Sequence, residues 1–473
     1  MATAITPTMH KALPWIAAVA YFMQALDTSI LNTALPKMAA DLHESPLSME
    51  SAVICYALSL ALFIPASGFL SDKFGTRNVF IFALTFFSIG SLCSASSTSL
   101  FWLDVSRVLQ GVGGAMMVPV SRLTLIKSFD RKDFLKALNT STLLGLAGPF
   151  LGPVLGGFLV EKFTWHWIFL INVPIGILGI IFSLKFMPNI RGKSTDLDVK
   201  GLVLVSLAFI ITTLSLEMMS DGEGIHYPIL LLIPGVLLLY VYVTHARKNL
   251  KVFHKSSIFP LELFKVKTFS IGLAGNFASR LGAQAIPFLL PLMLQLALGF
   301  SAIHSGLMLI PLALAAMIMK ELVTPILRRF GYRNVLIYST FFVGMAIMTL
   351  GLFDQNTPIY FLAINLFLIG FVNSLRFTAM SSLTLADLYD EKASSGNSLM
   401  SVSQQLSTTF GVAISAVLLR MFQAPADSMH LDLVDSFRMT FVILGVITIA
   451  SGFIFFKLSE QDGANLTARH NKE

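Results

Sequence analysis

The sequence predicts an all-α membrane protein with about fourteen transmembrane helices. Hydrophobic residues make up 55% of the 473 residues and charged residues make up 12%, about half the charged share of soluble domains. Apolar runs recur along the whole chain, and short segments rich in Lys and Arg separate them. A soluble domain could not bury so much apolar surface, whereas lipid can cover it.

The predicted spans are apolar runs long enough for a helix to cross the hydrocarbon core, which takes about 20 residues. The first run is too long for a cleavable signal peptide and carries Asp27, so it is expected to remain as a membrane anchor. In chain order, the spans are predicted near 13–35, 51–70, 78–97, 101–126, 137–159, 166–187, 199–219, 228–244, 269–296, 305–327, 334–353, 358–386, 399–420 and 437–457.

The basic residues support this order of spans independently, because they concentrate in alternate loops. The basic loops contain Lys73, Arg77, Lys127, Arg131, Lys132, Lys136, Lys185, Arg191, Lys193, Lys200, Arg247, Lys248, Lys251, Lys255, Lys265, Lys267, Arg328, Arg329 and Arg333. Since basic loops stay in the cytoplasm, both termini are expected to be cytoplasmic. The same clustering explains why the net charge of +7 does not indicate nucleic acid.

Two loops have similar sequences and mark an internal repeat. The first, residues 68–78, reads GFLSDKFGTRN, and the second, residues 324–334, reads TPILRRFGYRN. Each loop ends one span and begins the next, so the chain is predicted to hold six spans, a two-span insert and six more. The predicted parts are a first bundle (1–190), the insert (191–244), a cytoplasmic linker (245–268) and a second bundle (269–473).

The first of these loops resembles the loop signature of the major facilitator superfamily through Gly68, Asp72, Gly75 and Arg77. The glycines allow a tight turn, and the carboxylate and guanidinium groups can bind neighbouring helix ends in a conformational lock. A plain charged turn is the alternative. The second loop departs from the signature, with Thr and Arg in place of Gly68 and Asp72.

A motif in span five, GPFLGPVLGG at residues 148–157, resembles that of antiporters in the same family. Gly148, Gly152 and Gly156 repeat at every fourth residue and form a flat packing face, while Pro149 and Pro153 permit a bend. The resemblance favours exporters over importers and a part in conformational change. Ordinary tight packing is the alternative.

Three other segments resemble the family. Residues 107–115 of span four read RVLQGVGGA, and residues 26–36 and 165–174 match signatures of its fourteen-span drug:proton antiporters. The resemblance implies two six-helix bundles with a substrate site between the halves, and a transporter rather than an enzyme. No ATP-binding loop, zinc signature or nucleophile elbow appears, so no cofactor or metal is expected and an ion gradient should supply the energy.

Charged residues within a bilayer are costly and indicate function. The family lines its cavity with the first and fourth helix of each half, and these helices hold Asp27, Arg107, Arg280 and Arg376 here. Asp27 and Arg107 are predicted to lie at similar depth. They are expected to couple proton movement to transport, as a pair or by competing for a shared water. A static ion pair that only fixes packing is the alternative.

Polar residues on the same helices are expected to line the substrate cavity. Asn276, Arg280 and Gln284 recur at every fourth residue of span nine. Asn365, Asn373 and Arg376 lie roughly on one face of span twelve. The predicted cavity residues are Gln24, Gln110, Asn276, Arg280, Gln284, Asn373 and Arg376. Spans nine and twelve contain no acidic residue, so their arginines favour an anionic cargo. Glu321 of span ten is the alternative counter-ion.

Together these features predict a proton-coupled exporter that works by alternating access in the inner membrane of a bacterium. Its partners would be the lipid bilayer, protons and a small anion, such as a carboxylate metabolite or a metal chelate of the siderophore kind. Broad efflux of cationic or neutral drugs is the first alternative, and a sensor or scaffold that does not transport is the second. A periplasmic adaptor is left open as a further partner.

Overall fold

The fold is given by a computed structural model, which describes residues 7–192, 197–220, 226–249, 258–354, 356–388, 390–423, 432–463 and 466. In that part of the chain, the helices are α1 (Pro7–Ile30), α2 (Leu35–Leu42), α3 (Glu50–Phe74), α4 (Thr76–Ala95), α5 (Leu100–Ser128), α6 (Arg131–Lys162), α7 (Trp167–Leu170), α8 (Asn172–Phe186), α9 (Val199–Ser220), α10 (His226–Lys248), α11 (Lys267–Ala283), α12 (Ile286–Leu292), α13 (Ala302–Met308), α14 (Ile310–Leu350), α15 (Ile359–Leu385), α16 (Asp390–Gln423) and α17 (Leu433–Gly452). Lys193, Lys251 and Lys255 of the basic loops, and residues 250–257 of the predicted linker, lie outside the described residues.

Twelve helical segments of the described chain are long and apolar enough to cross a membrane. One of them, Ala302–Leu350, contains two predicted spans, because α14 turns at Gly331 with a φ of 73° and a ψ of 161°. Helix α1 is not among the twelve, since Gln24 and Asp27 interrupt its apolar run. With α1 included and α14 divided at Gly331, the helices match the fourteen predicted spans, and the all-α membrane fold is confirmed.

Four predicted spans are interrupted helices rather than continuous ones. Span one contains most of α1 and a 3₁₀ turn and ends where α2 begins, and span six contains α7 and α8. Span nine contains α11, α12 and a π-helical turn, and span ten contains the end of α13 and the beginning of α14. Proline marks each restart, since Pro36, Pro174, Pro287 and Pro311 are the second or third residue of α2, α8, α12 and α14. Proline fits the first turn of a helix because the N–H groups there have no intrahelical acceptor.

The chain forms two compact units. The first contains Met1–Leu197 and Phe300–Leu307, and the second contains Asp198–Gly299 and Met308–Glu473. In the first unit, α1 packs along α6, and α5 packs against α3 and α4. In the second, α14 packs against α15 and α17, and α11 packs against α15, α16 and α17. The insert helices α9 and α10 pack on each other, and α9 also packs on α16 of the second unit.

Candidate functional site

Asp27 of α1 and Arg107 of α5 form a buried ion pair in the first unit. Arg107 Nη1 lies 2.7 Å from Asp27 Oδ2, and each side chain is only 1% exposed. The two residues that were predicted at similar depth are therefore in direct contact. Burying an ion costs several kcal/mol, and good geometry together with further hydrogen bonds is needed to offset that cost. The stability of the buried pair therefore depends on its neighbours.

Two side-chain amides complete the surroundings of the Asp27 carboxylate. Gln110 Nε2 donates to Asp27 Oδ1 over 2.6 Å, and Asn172 Nδ2 donates to the same oxygen over 3.2 Å. With Arg107, three donors therefore contact one carboxylate. This arrangement suits an anion, because an ionised carboxylate accepts hydrogen bonds and donates none.

The guanidinium group of Arg107 has contacts besides Asp27. Its Nε donates to the Ala52 carbonyl of α3 over 3.2 Å, and its Nη1 also donates to Gln110 Oε1 over 2.7 Å. Its central carbon lies 4.2 Å from the centroid of the Tyr56 ring and 5.8 Å from that of the Phe169 ring, within the range of cation–π attraction. These contacts can hold the arginine in place whatever the charge on Asp27.

Sequence reasoning missed part of this cluster. Asn172 had a signal, because it is an amide inside an apolar span and belongs to the 165–174 motif. No sequence signal marked Tyr56, Phe169 and Ser91, since aromatic and hydroxyl residues occur throughout such spans. Ser91 Oγ accepts a hydrogen bond from Gln110 Nε2 over 2.8 Å. Gln110 itself, predicted for the substrate cavity, is fully buried beside Asp27.

Arg280 of α11 and Arg376 of α15 lie in the second unit on two helices that pack against each other, so their like charges repel each other. Arg376 is 1% exposed, and its Nη2 donates to Asn373 Oδ1 over 2.6 Å. The Arg280 guanidinium lies 5.0 Å from the centroid of the Phe377 ring. Arg376 Nη1 and Arg280 Nε are buried and have no hydrogen-bond acceptor among the described residues. One buried donor of each guanidinium group is therefore left unused, although Arg280 as a whole is half-buried.

No carboxylate of the described residues forms a salt bridge with either arginine, and this includes Glu321. Glu321 and the adjacent Lys320 are exposed on α14. The alternative that Glu321 neutralises one of the arginines therefore finds no support in the geometry.

The other predicted cavity residues have different surroundings. Asn276 is 1% exposed, and its Nδ2 has no acceptor among the described residues. Gln284 lies at the break between α11 and α12 and donates to Thr408 Oγ1 over 3.1 Å. Gln24 lies one turn before Asp27 in α1, and its buried Oε1 accepts no hydrogen bond within the described chain. Asn365 instead donates to the Ala346 carbonyl of α14 over 3.3 Å.

Backbone hydrogen bonds join the loop at residues 68–78 to the segment that follows α8. Thr76 N donates to the Ile190 carbonyl over 3.1 Å, and Gly192 N donates to the Asp72 carbonyl over 3.2 Å. Gly75 adopts a φ of 93°, which favours glycine, and Asn189 fills the space that a Cβ would need there. These contacts make the loop a fixed turn.

The charged groups of the same loop have separate neighbours. The Asp72 carboxylate lies 2.8 Å from Lys127 Nζ at the end of α5, so it does contact a neighbouring helix end. Arg77 Nε is buried and donates to no described residue. Gly68 has open space around it, so close packing does not explain that glycine.

The glycine motif of α6 lies directly against α1. A Cβ on Gly148 would lie 2.7 Å from Leu26 N, on Gly152 2.9 Å from Ser29 Cβ, and on Gly156 2.5 Å from the Ile30 carbonyl oxygen. The three glycines therefore lie at a close contact between α6 and α1, and their part in conformational change stays a prediction. Pro149 and Pro153 lie inside α6, and the Pro153 carbonyl accepts from Thr33 Oγ1 over 3.4 Å.

Comparison with known families gives one match that covers most of the chain. The model of the Major Facilitator Superfamily matches residues 17–319 and 272–472. The two matched ranges together span both compact units.

Similar proteins include MdtD of Escherichia coli O9:H4 (strain HS), which is 45% identical over 469 residues, 97% of each chain. MdtD of Escherichia fergusonii is 44% identical over 464 residues, again 97% of each chain. The full name of these relatives refers to multidrug resistance.

Solved structures share the fold at low sequence identity. The POT family transporter PepTSo aligns with a TM-score of 0.71 at 12% identity and covers 94% of this chain and 97% of its own. A D-xylose–proton symporter aligns with a TM-score of 0.68 at 14% identity and covers 96% and 99%. At this identity the likeness concerns the fold alone.

Proposed function

The chain belongs to the major facilitator superfamily, and from this membership we propose that it is a proton-coupled exporter of small anions. Its family consists of transporters that act on small molecules, and its helices make it a multi-pass membrane protein. The proton, the anion and the direction are the proposed parts. We also propose the bacterial inner membrane as its location, with both termini cytoplasmic as the basic loops predict.

The observation that carries proton coupling is the buried Asp27–Arg107 pair. Protonation of Asp27 removes its negative charge and hence its ionic attraction to Arg107. Arg107 would then keep its contacts with Ala52, Tyr56 and Phe169. Helices α1 and α5 are thus linked by charge in one state and released in the other. Each proton that moves down 100 mV supplies about 2.3 kcal/mol for this cycle.

The observation that favours an anionic cargo is the pair of arginines without a carboxylate. Guanidinium stays protonated in proteins, so the buried Arg376 and the half-buried Arg280 beside it favour a counter-charge. Their free Nη1 and Nε donors suit carboxylate oxygens. The break after α11 lies one turn from Arg280, and interrupted helices commonly form the binding sites of transporters. A carboxylate metabolite or a metal chelate fits this chemistry.

Broad drug efflux is the second candidate, and the multidrug resistance in the names of its relatives favours it. The two candidates differ in the sign of the charge on the cargo. The positive charges of Arg280 and Arg376 would repel a cationic drug in the second unit, whereas they would neither attract nor repel a neutral drug.

A transport assay tests the proposal. Purified protein in liposomes with an imposed pH gradient would be given citrate, succinate, a ferric catecholate chelate, ethidium or tetraphenylphosphonium, while a trapped dye reports lumenal pH. At least one anion should dissipate the gradient, and Asp27→Asn should abolish that signal. Asp435→Asn is the matched control, because Asp435 pairs with Arg438 in the first turn of α17, where both are 41% exposed. Proton movement with ethidium or tetraphenylphosphonium alone would favour drug efflux.

A further inference from the structure

An apolar groove lies in the second unit beside the turn of α14 at Gly331. Its volume is about 390 Å³, within the ~300–1,000 Å³ range of small-ligand sites. Its walls come from Phe330, Val335, Phe342, Val372 and Leu375, with polar atoms of Asn334, Tyr338 and Ser339 between them. None of these residues belongs to the Arg280–Arg376 cluster.

The groove runs from the loop into the predicted span. Asn334, Tyr338 and Phe342 line it at successive turns of α14, so it follows the helix for about 12 Å at 1.5 Å per residue. Tyr338 is 73% exposed and Phe330 is 54% exposed, so the groove is open along its length. An open apolar groove of this length suits a flexible hydrocarbon chain better than a compact solute.

Positive charge is concentrated at the loop end of the groove. The Arg329 guanidinium lies 5.5 Å from the centroid of the Phe330 ring, which is part of the wall. Arg328 and Arg329 are exposed, and neither forms a salt bridge within the described chain. Arg333 Nη1 lies 3.9 Å from Glu460, whose side chain is 83% exposed, so that contact is weak. The loop end of the groove therefore offers cations without a firm counter-ion.

The equivalent loop of the first unit shows that this charge is not a general property of the repeat. Arg328 takes the position of Asp72, and Arg329 takes that of Lys73. Asp72 adds a negative charge to its own loop and pairs with Lys127 at the end of α5. The second loop has two arginines where the first has a carboxylate and a lysine.

We propose that this groove binds one phospholipid with an anionic headgroup. Its phosphate contacts Arg328 and Arg329, and one acyl chain lies along Tyr338 and Phe342 between α14 and α15. Basic clusters beside transmembrane helices recognise anionic headgroups in this way. This lipid site does not depend on the cargo or on proton coupling.

Native mass spectrometry of the delipidated full-length protein tests the site. Phosphatidylglycerol and phosphatidylethanolamine with identical acyl chains are added separately. Phosphatidylglycerol should bind more tightly, and Arg328→Gln and Arg329→Gln should each weaken it by about fivefold, as expected for the loss of one basic residue near a headgroup. Lys73→Gln, the matched position in the first unit, should leave binding unchanged.

A second variant separates headgroup recognition from chain binding. Val372→Phe narrows the groove and should weaken both lipids equally. The arginine variants should weaken phosphatidylglycerol more than phosphatidylethanolamine, because the ammonium group of phosphatidylethanolamine offsets the charge of its phosphate. Glycerol 3-phosphate, which lacks acyl chains, should not displace the lipid. Equal binding of both lipids, wild-type binding by Arg329→Gln, or displacement by glycerol 3-phosphate would each overturn the proposal. If Val372→Phe fails to fold, the arginine variants and the competition still decide it.

Discussion

In the first unit, Asp27 and Arg107 are buried together and satisfy each other. In the second unit, the buried Arg376 and the half-buried Arg280 have no carboxylate partner among the described residues. The first arrangement is complete within the protein, and three donors meet one anion. The second arrangement is incomplete, since donors of both guanidinium groups point at no acceptor of the described chain.

The difference suggests separate roles for the two clusters. A complete cluster changes when its own charge changes, which suits a group that gains and loses a proton. An incomplete cluster changes when a ligand supplies the missing charge, which suits a substrate site. The two units therefore predict opposite responses to removal of a charged group.

The largest effect is expected from Asp27→Asn. The substitution preserves shape but leaves Arg107 as a buried cation without its anion, which costs about 3–5 kcal/mol. Thermal unfolding in detergent should show a lower Tm, and proton-driven transport should be lost. Adding Arg107→Gln should recover part of the Tm but not the transport. Wild-type transport by Asp27→Asn would remove Asp27 as the coupling residue.

The next effect concerns Arg376→Gln and Arg280→Gln. Each should weaken binding of the anion found in the transport screen by about 2–5 kcal/mol, as for loss of one partner of a buried charge pair. Each should also raise the Tm without ligand, opposite to Asp27→Asn, because it removes a cation that no described carboxylate neutralises and that the other arginine repels. Calorimetry and thermal unfolding measure the two quantities, and Arg438→Gln is the control. A lower Tm for both variants would mean that these arginines are structural.

A smaller effect is expected at the contact between α1 and α6. Gly156→Ala places a methyl group 2.5 Å from the Ile30 carbonyl oxygen, and such overpacking costs about 1–3 kcal/mol. Gly68→Ala is the matched control, because the space around Gly68 is open, and alanine should be neutral or slightly stabilising in a helix. Equal Tm values for the two variants would show that α6 can move away from α1.

The smallest effect is expected from Asp72→Asn. It removes the contact with Lys127, in which both side chains are about a quarter exposed, and exposed pairs contribute about 0–1 kcal/mol. The Tm should therefore fall by less than for Gly156→Ala, and added salt should shrink the difference. A fall in Tm as large as that of Asp27→Asn would mean that Asp72 stabilises the protein more than its contact with Lys127 explains.

The sequence predicted the fold well because membrane spans are specified by composition over a long window. No single residue decides such a run, so small errors at its ends do not change the count. Breaks within spans were missed because they depend on single prolines, such as Pro174 and Pro287, which a window of about 20 residues averages out. Read one by one, these prolines indicate where each helix restarts.

The candidate sites were predicted unevenly for a related reason. Asp27 and Arg107 were predictable because a charge in a bilayer is rare, and residue counting gives its depth. Tyr56 and Phe169 were not, since their role depends on which face of a helix meets Arg107. The groove beside Gly331 was also not predictable, because its walls come mainly from apolar residues of two helices, and the sequence does not show which of those residues face each other.

The glycine contact between α6 and α1 has a practical use. Because the backbones are in contact at Gly148 and Gly156, no side chains separate the two helices at these positions. A tilt of α1 should therefore move α6 with it. The chain has only two cysteines, Cys55 and Cys93, so both can be replaced. A single cysteine can then be introduced by Phe158→Cys, at an exposed position of α6, and labelled with a dye. Fluorescence from that dye would then follow the helix that carries Asp27 in real time, through each cycle of loading and release.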